Sequence, residues 1–404
     1  MSREAAREQY DAVVGLLPAG DVPQAIFAVV KRTYDLRKGS LAPAEPLVRD
    51  VWSETGPDRL MPGSDYWYGK PCTDVAILGH AHVLPAAPQA EVSVRVGDSR
   101  VRALVLGARR VRWARGTRPR FDDPEPVEKV PMSWAHAYGG GDPRVPVSEA
   151  RTPVERLRRI VDHPGLYPRN PYGRAYVVVD QAVDEIVLPQ IERFDDRLTP
   201  ERLVTRDPAL WYRQPRPIAF ELCRPKTFPR RLFGGLDAWF PPPEDDRLPE
   251  VAIGEVPLRF RSEHGIATGA GLRAFDVRFL QEAIAPLRIA DPQPGLPIEV
   301  RGMHPEGRVA RFVIPSPPKT EVVLEGRVTE LLMRPTLIVV RPEDERVTVT
   351  WGASTSNMHR VFIPGMHATI PLSLRIDGDA PIGYTAPPTQ RSMIEAARSP
   401  NGGA

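Results

Sequence analysis

Proline is the residue that most constrains the fold of this chain. There are 47 prolines in 404 residues, more than twice the typical ~5%. Proline lacks a backbone N–H, so it interrupts helix interiors and central strands and is accepted at turns and strand edges. We therefore expect a mainly β protein with antiparallel sheets arranged as a sandwich or a barrel. Helices should be few and short, and Pro-rich loops should be long.

Alternating apolar residues predict the strands. Residues 91–107 (EVSVRVGDSRVRALVLG) alternate valines on both sides of Gly97-Asp98, a pattern typical of a β-hairpin. A segment rich in β-branched residues predicts an early strand from Gln24. Residues 342–344 (PED) predict a turn between two late strands. Further strands are predicted over residues 298–301, 309–314, 321–324, 336–340, 347–351 and 369–376.

Two helical segments are expected. Residues 1–20 are predicted to form an N-terminal helical arm that ends at Pro18, because apolar residues recur on one helical face. A capping box predicts a second, short helix over residues 152–162. The apolar residues of the arm are Ala6, Tyr10, Val13, Val14 and Leu17.

Most of the chain is expected to form one unit. Residues 21–375 are predicted to be a single large β-rich domain, because strand patterns recur along them without a fixed-period repeat. Prolines mixed with aromatic residues predict a Pro-rich insertion around residues 204–250. Residues 376–404 are predicted to be a mobile tail with one helical turn near residues 392–397.

Charge and composition exclude several classes of protein. A net charge of +3 over the whole chain is too small for general attraction to nucleic acid. The two cysteines, Cys72 and Cys223, are too few for a disulfide framework and do not form a CxxC pair. The first residues do not resemble a signal peptide, and no run approaches the ~20 apolar residues of a membrane span. We expect a cytoplasmic protein without a cofactor and without nucleic-acid or membrane partners.

Three histidines are the candidates for a metal site. His80 and His82 follow an apolar segment, and in a strand their spacing places both imidazoles on one face. Two ligands of a metal ion could be supplied in this way, and His304 could be a third. Nothing in the spacing requires that third ligand, so the alternative is that these are surface or hydrogen-bonded histidines. The metal interpretation would make the protein a metal-dependent enzyme or a carbohydrate-binding module.

A cluster of arginines around Trp113 is the candidate for partner binding. Its guanidinium groups could bind phosphates or an acidic protein surface. The acidic segment FDDPEPVE follows at once, so a solvated face is the alternative. Trp134 and Tyr138 precede a run of three glycines at residues 139–141, and they are predicted to anchor a loop onto a sheet. The residues assigned to partner binding are Arg109, Arg112, Trp113, Arg115, Trp134 and Tyr138.

No catalytic residue is predicted. The sequence has no GxSxG, HExxH or phosphate-loop motif. Its carboxylate pairs Asp195-Asp196 and Asp245-Asp246 lie in polar segments, where neighbouring like charges are usually solvated. These patterns therefore do not support catalysis, and the enzyme alternative depends on the three histidines alone.

Seven short segments occur together in an order that resembles a known family. They are VVKRTYDL, SDYWYGKPCTDVAILGHAH, the hairpin that ends near Arg110 and Trp113, PMSWAHAYGG, RNPYGRAY, LPQIE and GMHPEG. This set resembles a bacterial domain-of-unknown-function family whose members are commonly encoded beside type VI secretion genes. Their gene neighbours encode spike, PAAR-like tip and effector proteins.

The resemblance covers about residues 24–351 and implies a function without catalysis. It implies an adaptor or chaperone-like accessory protein that helps load an effector or tip cargo onto a secretion spike. The implied partner is a spike or tip protein or a toxin effector. No catalytic residue is implied by the resemblance.

Overall fold

The computed structural model describes most of the chain. The described residues are 9–19, 22–48, 65, 70, 72–145, 165–167, 169–182, 186–207, 211, 213–222, 281–324, 326–355, 372–379 and 382–383. Within them the protein is mainly β, with several mostly antiparallel sheets and no helix of seven residues or more. The predicted fold class is confirmed. In the same residues, no helix has the length and apolar character needed to cross a membrane.

The strands are numbered in chain order. They are β1 (Asp11–Ala19), β2 (Val22–Asp35), β3 (Leu41–Ala42), β4 (Thr73–Ile77), β5 (His80–Ala87), β6 (Gln89–Val96), β7 (Ser99–Leu106), β8 (Val111–Arg112), β9 (Arg120–Phe121), β10 (Val127–Pro131), β11 (Tyr138–Gly139), β12 (Arg174–Ala175), β13 (Ile191–Glu192), β14 (Arg288–Ile289), β15 (Pro297–Arg301), β16 (Ala310–Val313), β17 (Thr320–Leu324), β18 (Arg327–Leu331), β19 (Arg334–Arg341), β20 (Arg346–Thr355), β21 (Leu372–Ile376) and β22 (Ile382–Gly383). Short 3-10 helices lie at Trp134–His136, Pro200–Arg202 and Ala285–Leu287. Elements this short fit a chain so rich in proline.

The largest sheet has the strand order β1-β2-β20-β19-β4-β14, with β3 beside β2. Its pairs are antiparallel except for β19 and β4, which run parallel. The predicted turn between two late strands is confirmed, because residues 342–345 connect β19 to β20 in an antiparallel pair.

The predicted N-terminal helix is wrong over the residues that the structure describes. Residues 11–19 form β1, which runs antiparallel to β2. Val13 and Val14 are both buried, Val14 in the main core and Val13 in a separate cluster. Adjacent valines on opposite faces suit a strand that is covered on both sides. Pro18 lies at a register shift of this edge strand, where a missing N–H is tolerated.

The second sheet has five strands in the order β13-β7-β6-β15-β16. Its central hairpin of β6 and β7 confirms the predicted one, with Gly97-Asp98 as the turn. Gly97 has φ +55°, in the left-handed region that glycine adopts readily. The four-stranded sheet has the order β18-β17-β21-β22, and the two-stranded pairs are β5 with β10, β8 with β9, and β11 with β12.

One apolar core lies between the larger sheets. Tyr34 of β2 packs against Phe312 of β16, with ring centroids 5.8 Å apart, and so joins the first two sheets. Val322 and Leu374 of the four-stranded sheet belong to the same buried cluster. Three sheets therefore share a core, in which valine and isoleucine predominate, as expected for β structure.

Several predicted elements lie outside the described residues. They are the short helix over residues 152–162, the helical turn near residues 392–397 and most of the insertion around residues 204–250. Of the predicted tail, residues 382–383 form β22, which pairs with β21.

Candidate functional site

The three predicted metal candidates lie around the turn between β19 and β20. His80 and His82 are two residues apart on β5, and both imidazoles face the carboxylate of Glu343. His80 Nδ1 is 3.0 Å from Glu343 Oε2, and His82 Nε2 is 2.7 Å from Glu343 Oε1. An ionised carboxylate only accepts hydrogen bonds, so both of these ring nitrogens are donors. The group comprising His80, His82, His304, Glu343 and Glu345 is termed the histidine turn.

Glu343 binds a third donor. Lys129 Nζ on β10 is 3.0 Å from Glu343 Oε1, and Lys129 lies opposite His82 in the β5–β10 pair. Gly79 leaves room for the carboxylate, since a Cβ there would be 3.1 Å from Glu343 Oε2. Partial burial acts to raise the pKa of Glu343, but hydrogen bonds from the two histidines and Lys129 outweigh it and lower the pKa to about 2. Glu343 is therefore ionised at neutral pH.

His304 contacts the second glutamate of the same turn. The Glu306 backbone N–H donates to His304 Nδ1 at 3.0 Å, so Nε2 carries the ring hydrogen and donates to Glu345 Oε1 at 3.1 Å. Arg308 donates to the same oxygen at 2.7 Å, and its 3.2 Å approach to His304 Nε2 follows from that shared acceptor. Arg37 pairs with the other oxygen of Glu345. His304 is thus oriented through both ring nitrogens.

These contacts do not assemble a metal site from the described residues. In that part of the chain, no three or more histidine, cysteine, aspartate or glutamate side chains are arranged to hold an ion. The three histidines instead have the hydrogen-bonded arrangement that the sequence left open as the alternative. Sequence reasoning missed Glu343 and Glu345, because both lie in the turn at residues 342–345, far along the chain from the histidines that they contact.

The exposed arginines lie on a small hairpin formed by β8, β9 and the residues between them. This surface, residues 110–122, is termed the arginine hairpin. The Arg112 side chain is 77% exposed, and its Nε lies 2.6 Å from Asp122 Oδ1. Arg115, Arg118 and Arg120 are exposed. A groove of about 420 Å³ beside the hairpin is lined by Ala108, Arg110, Arg112, Asp122, Asp123 and Glu125.

Trp113 fixes the tip of the arginine hairpin. Its indole Nε1 donates to the Thr117 carbonyl at 3.0 Å, and the Thr117 N–H donates to the Ala114 carbonyl at 3.0 Å. The ring also packs against an apolar cluster that contains Tyr138. A tip that is already ordered loses less conformational entropy when it binds a partner.

Three other residues assigned to partner binding lie inside the fold. The Arg109 side chain is 5% exposed and pairs with Glu192 at 2.5 Å. Trp134 and Tyr138 are 2% and 1% exposed. In this structure their contacts are made with the chain itself. The assigned residues at the surface are therefore Arg112, Trp113 and Arg115.

The glycines that follow Tyr138 permit a close approach of two backbone segments. A Cβ at Gly139 would lie 2.1 Å from Asn170 O, and a Cβ at Gly140 would lie 2.2 Å from Gly173 O. Both glycines also have positive φ, +145° and +82°, which disfavours any other residue. Asn170 Nδ2 donates to the Tyr138 carbonyl at 3.0 Å and holds the contact. PMSWAHAYGG and RNPYGRAY thus pack as one structural unit.

A buried ionic triad joins β4 to residues 281–283. Lys70 Nζ lies 2.8 Å from Asp74 Oδ2 and 2.9 Å from Glu282 Oε2, and no side chain of the three is more than 1% exposed. Asp74 also accepts the backbone N–H groups of Glu282 and Ala283. Burial acts to lower the pKa of Lys70, but the two carboxylates outweigh it and raise the pKa. Because it is sealed from solvent, the triad serves the fold.

The model of one protein family matches most of the chain. A family model described as "Uncharacterized protein conserved in bacteria (DUF2169)" matches residues 22–352. Neither a curated protein nor a solved structure matches the chain. The matched range contains the histidine turn, the arginine hairpin and the buried triad.

Proposed function

We propose that this protein, which belongs to the DUF2169 family of uncharacterised proteins conserved in bacteria, is a non-enzymatic adaptor. In this proposal it acts in the cytoplasm as a chaperone-like accessory protein and helps load an effector or tip protein onto a type VI secretion spike. The resemblance of its seven short segments motivates the type VI assignment. The partner is then a spike or tip protein or a toxin effector.

The observation that carries the proposal is the exposure of arginines on the arginine hairpin. Arg112 has one carboxylate partner, Asp122, whereas Arg115 forms no ion pair with any residue that the structure describes. A guanidinium presents a fork of N–H donors that binds a carboxylate through two hydrogen bonds. We therefore expect an acidic segment of the partner to bind here, because complementary charge speeds association and selects the partner.

Affinity purification of the tagged protein from its native host tests the proposal. Cells should express the secretion machinery, and mass spectrometry should identify the proteins that co-purify. We expect near-stoichiometric recovery of a spike, tip or toxin protein. The double variant Arg112→Glu with Arg115→Glu should lower that recovery about tenfold or more, because attraction to an acidic segment becomes repulsion.

A matched control separates local contact from net charge. Arg100 and Arg206 are 53% and 82% exposed outside the arginine hairpin, and reversing both makes the same change in net charge. This control should recover the partner as the wild type does. Recovery of the tagged protein alone contradicts the adaptor proposal. Equal recovery with the two double variants contradicts the assignment of binding to the arginine hairpin.

A further inference from the structure

The four-stranded sheet ends in an exposed edge at β18. Among the described strands, β18 pairs with β17 alone. Residues 327–330 are all exposed, and Val328 and Leu332 are 53% and 91% exposed. An edge strand presents unpaired backbone N–H and C=O groups, and these can pair with another chain. This edge adds two exposed apolar side chains to those backbone groups.

Strand register places a carboxylate between the two apolar side chains. Val328 and Glu330 are spaced by two within β18, so they point to the same, outer face. Leu332 is the first residue after the strand and is exposed. Leu331, which is 5% exposed, points to the core. Glu330 lies opposite Glu321 of β17, and Glu321 lies opposite Arg375 of β21. Along this edge, exposed Glu330 therefore lies in the chain between exposed Val328 and exposed Leu332.

The two opposed glutamates differ in how they are neutralised. Glu321 Oε2 is 3.2 Å from Arg375, and its Oε1 is 3.4 Å from Lys319 Nζ. Glu330 forms no ion pair within the described residues. Like charges directly opposite each other destabilise a strand pair. A cation on the open side of Glu330 would offset this repulsion.

We propose that the β18 edge binds an extended segment of a partner protein by strand addition. The bound segment has a lysine or arginine with an apolar residue two positions away on each side. Its backbone pairs with the open edge of β18, its cation faces Glu330, and its apolar side chains cover Val328 and Leu332. This site takes a basic segment and is separate from the arginine hairpin, so the inference does not rest on the proposed function.

A second copy of the chain suits this edge less well. Two β18 strands that keep their outer faces on the same side place Glu330 opposite another Glu330 or opposite an apolar side chain. Neither arrangement supplies the cation, and the first repeats the repulsion. Charge complementarity therefore favours a basic segment of a different protein.

Two synthetic peptides test the site on the purified full chain. Each is about seven residues long, a common strand length. One is Thr-Val-Thr-Lys-Thr-Val-Thr, and the other has glutamate in place of lysine. Calorimetric titration should show binding of the lysine peptide and about fivefold weaker binding of the glutamate peptide. The variant Glu330→Lys should reverse that preference, and hydrogen exchange should show protection of β18 amides on binding.

Two further variants complete the test. Glu128→Lys makes the same charge change on β10, at an exposed residue, and should keep the wild-type preference. Leu332→Asp should weaken binding of both peptides without loss of fold, because that side chain is 91% exposed. The proposal is overturned by absence of lysine-peptide binding, by equal binding of the two peptides, or by an unchanged preference in Glu330→Lys. A wild-type dimer that occupies β18 in solution would also overturn it.

Discussion

The histidine turn and the arginine hairpin both contain charged side chains, but they differ in how these are paired. In the histidine turn, Glu343 binds three donors and His304 is held through both ring nitrogens. On the arginine hairpin, Arg112 has one carboxylate partner, and Arg115 has none among the described residues. Hydrogen bonds filled within the chain stabilise the fold, whereas unfilled donors at the surface are available to a partner. The histidine-bearing segments therefore contribute to the fold, and the exposed arginines are the donors that the proposed binding would use.

The largest expected effect comes from removing the cation of the buried ionic triad. Lys70→Ala leaves Asp74 and Glu282 buried without their cation, and should lower the free energy of unfolding by about 3–5 kcal/mol. Urea unfolding followed by tryptophan fluorescence measures this difference. Lys319→Ala, at a side chain that is 62% exposed, is the control and should change it by less than about 0.5 kcal/mol. Equal stability of the two variants would show that the triad does not hold the fold.

The next largest loss of stability is expected where the backbone at Gly139 lies close to the Asn170 carbonyl. Gly139→Ala combines a positive φ with a Cβ 2.1 Å from Asn170 O, and should lower the free energy of unfolding by about 2–4 kcal/mol. Gly116→Ala is the matched control, since its φ is +76° with nothing within 4 Å. It should cost about 1 kcal/mol. Similar losses in the two variants, measured by urea unfolding, would mean that the approach of Asn170 is not tight.

A smaller change in stability, which depends on pH, is expected at the histidine turn. The pKa of Glu343 is lowered from 4.5 to about 2, so its carboxylate stabilises the folded state above pH 4.5 and loses this contribution as pH falls towards 2. Glu343→Gln should lower the free energy of unfolding by about 1 kcal/mol at neutral pH, a value that allows for partial exposure. The difference from wild type should shrink below pH 4.5.

Chemical unfolding over a pH series measures this difference. Asp344→Asn, at the neighbouring side chain that is 65% exposed, is the control and should have little effect at any pH. A Glu343→Gln difference that stays constant from neutral pH to pH 2 would contradict an ionised, bound carboxylate.

Local sequence patterns predicted much of the fold. They failed where the structure of a segment depends on residues in another part of the chain. Valine alternation around Gly97-Asp98 predicted β6 and β7, and PED predicted the turn between β19 and β20. The N-terminal apolar spacing was compatible with a helix, but β1 forms because β2 pairs with it. The role of Lys70 depends on Glu282, 212 residues further along the chain. No local pattern contains that information.

The candidate site was predicted in part for the same reason. The three histidines were identified as a group, and the structure brings them to one turn, but onto Glu343 and Glu345. Arg109 was grouped with the exposed arginines because composition does not show which member of an arginine run faces inward. Its partner Glu192 is far along the chain, and only the fold brings the two together.

Co-purification with the Arg112→Glu, Arg115→Glu double variant, in cells that express the secretion machinery, tests the central claim most directly. The claim is that the arginine hairpin contributes to binding and not to stability. We predict a variant whose free energy of unfolding stays within about 0.5 kcal/mol of wild type and which recovers about tenfold less of the spike, tip or toxin partner. A variant that is equally stable and retains its partner in full would contradict the claim.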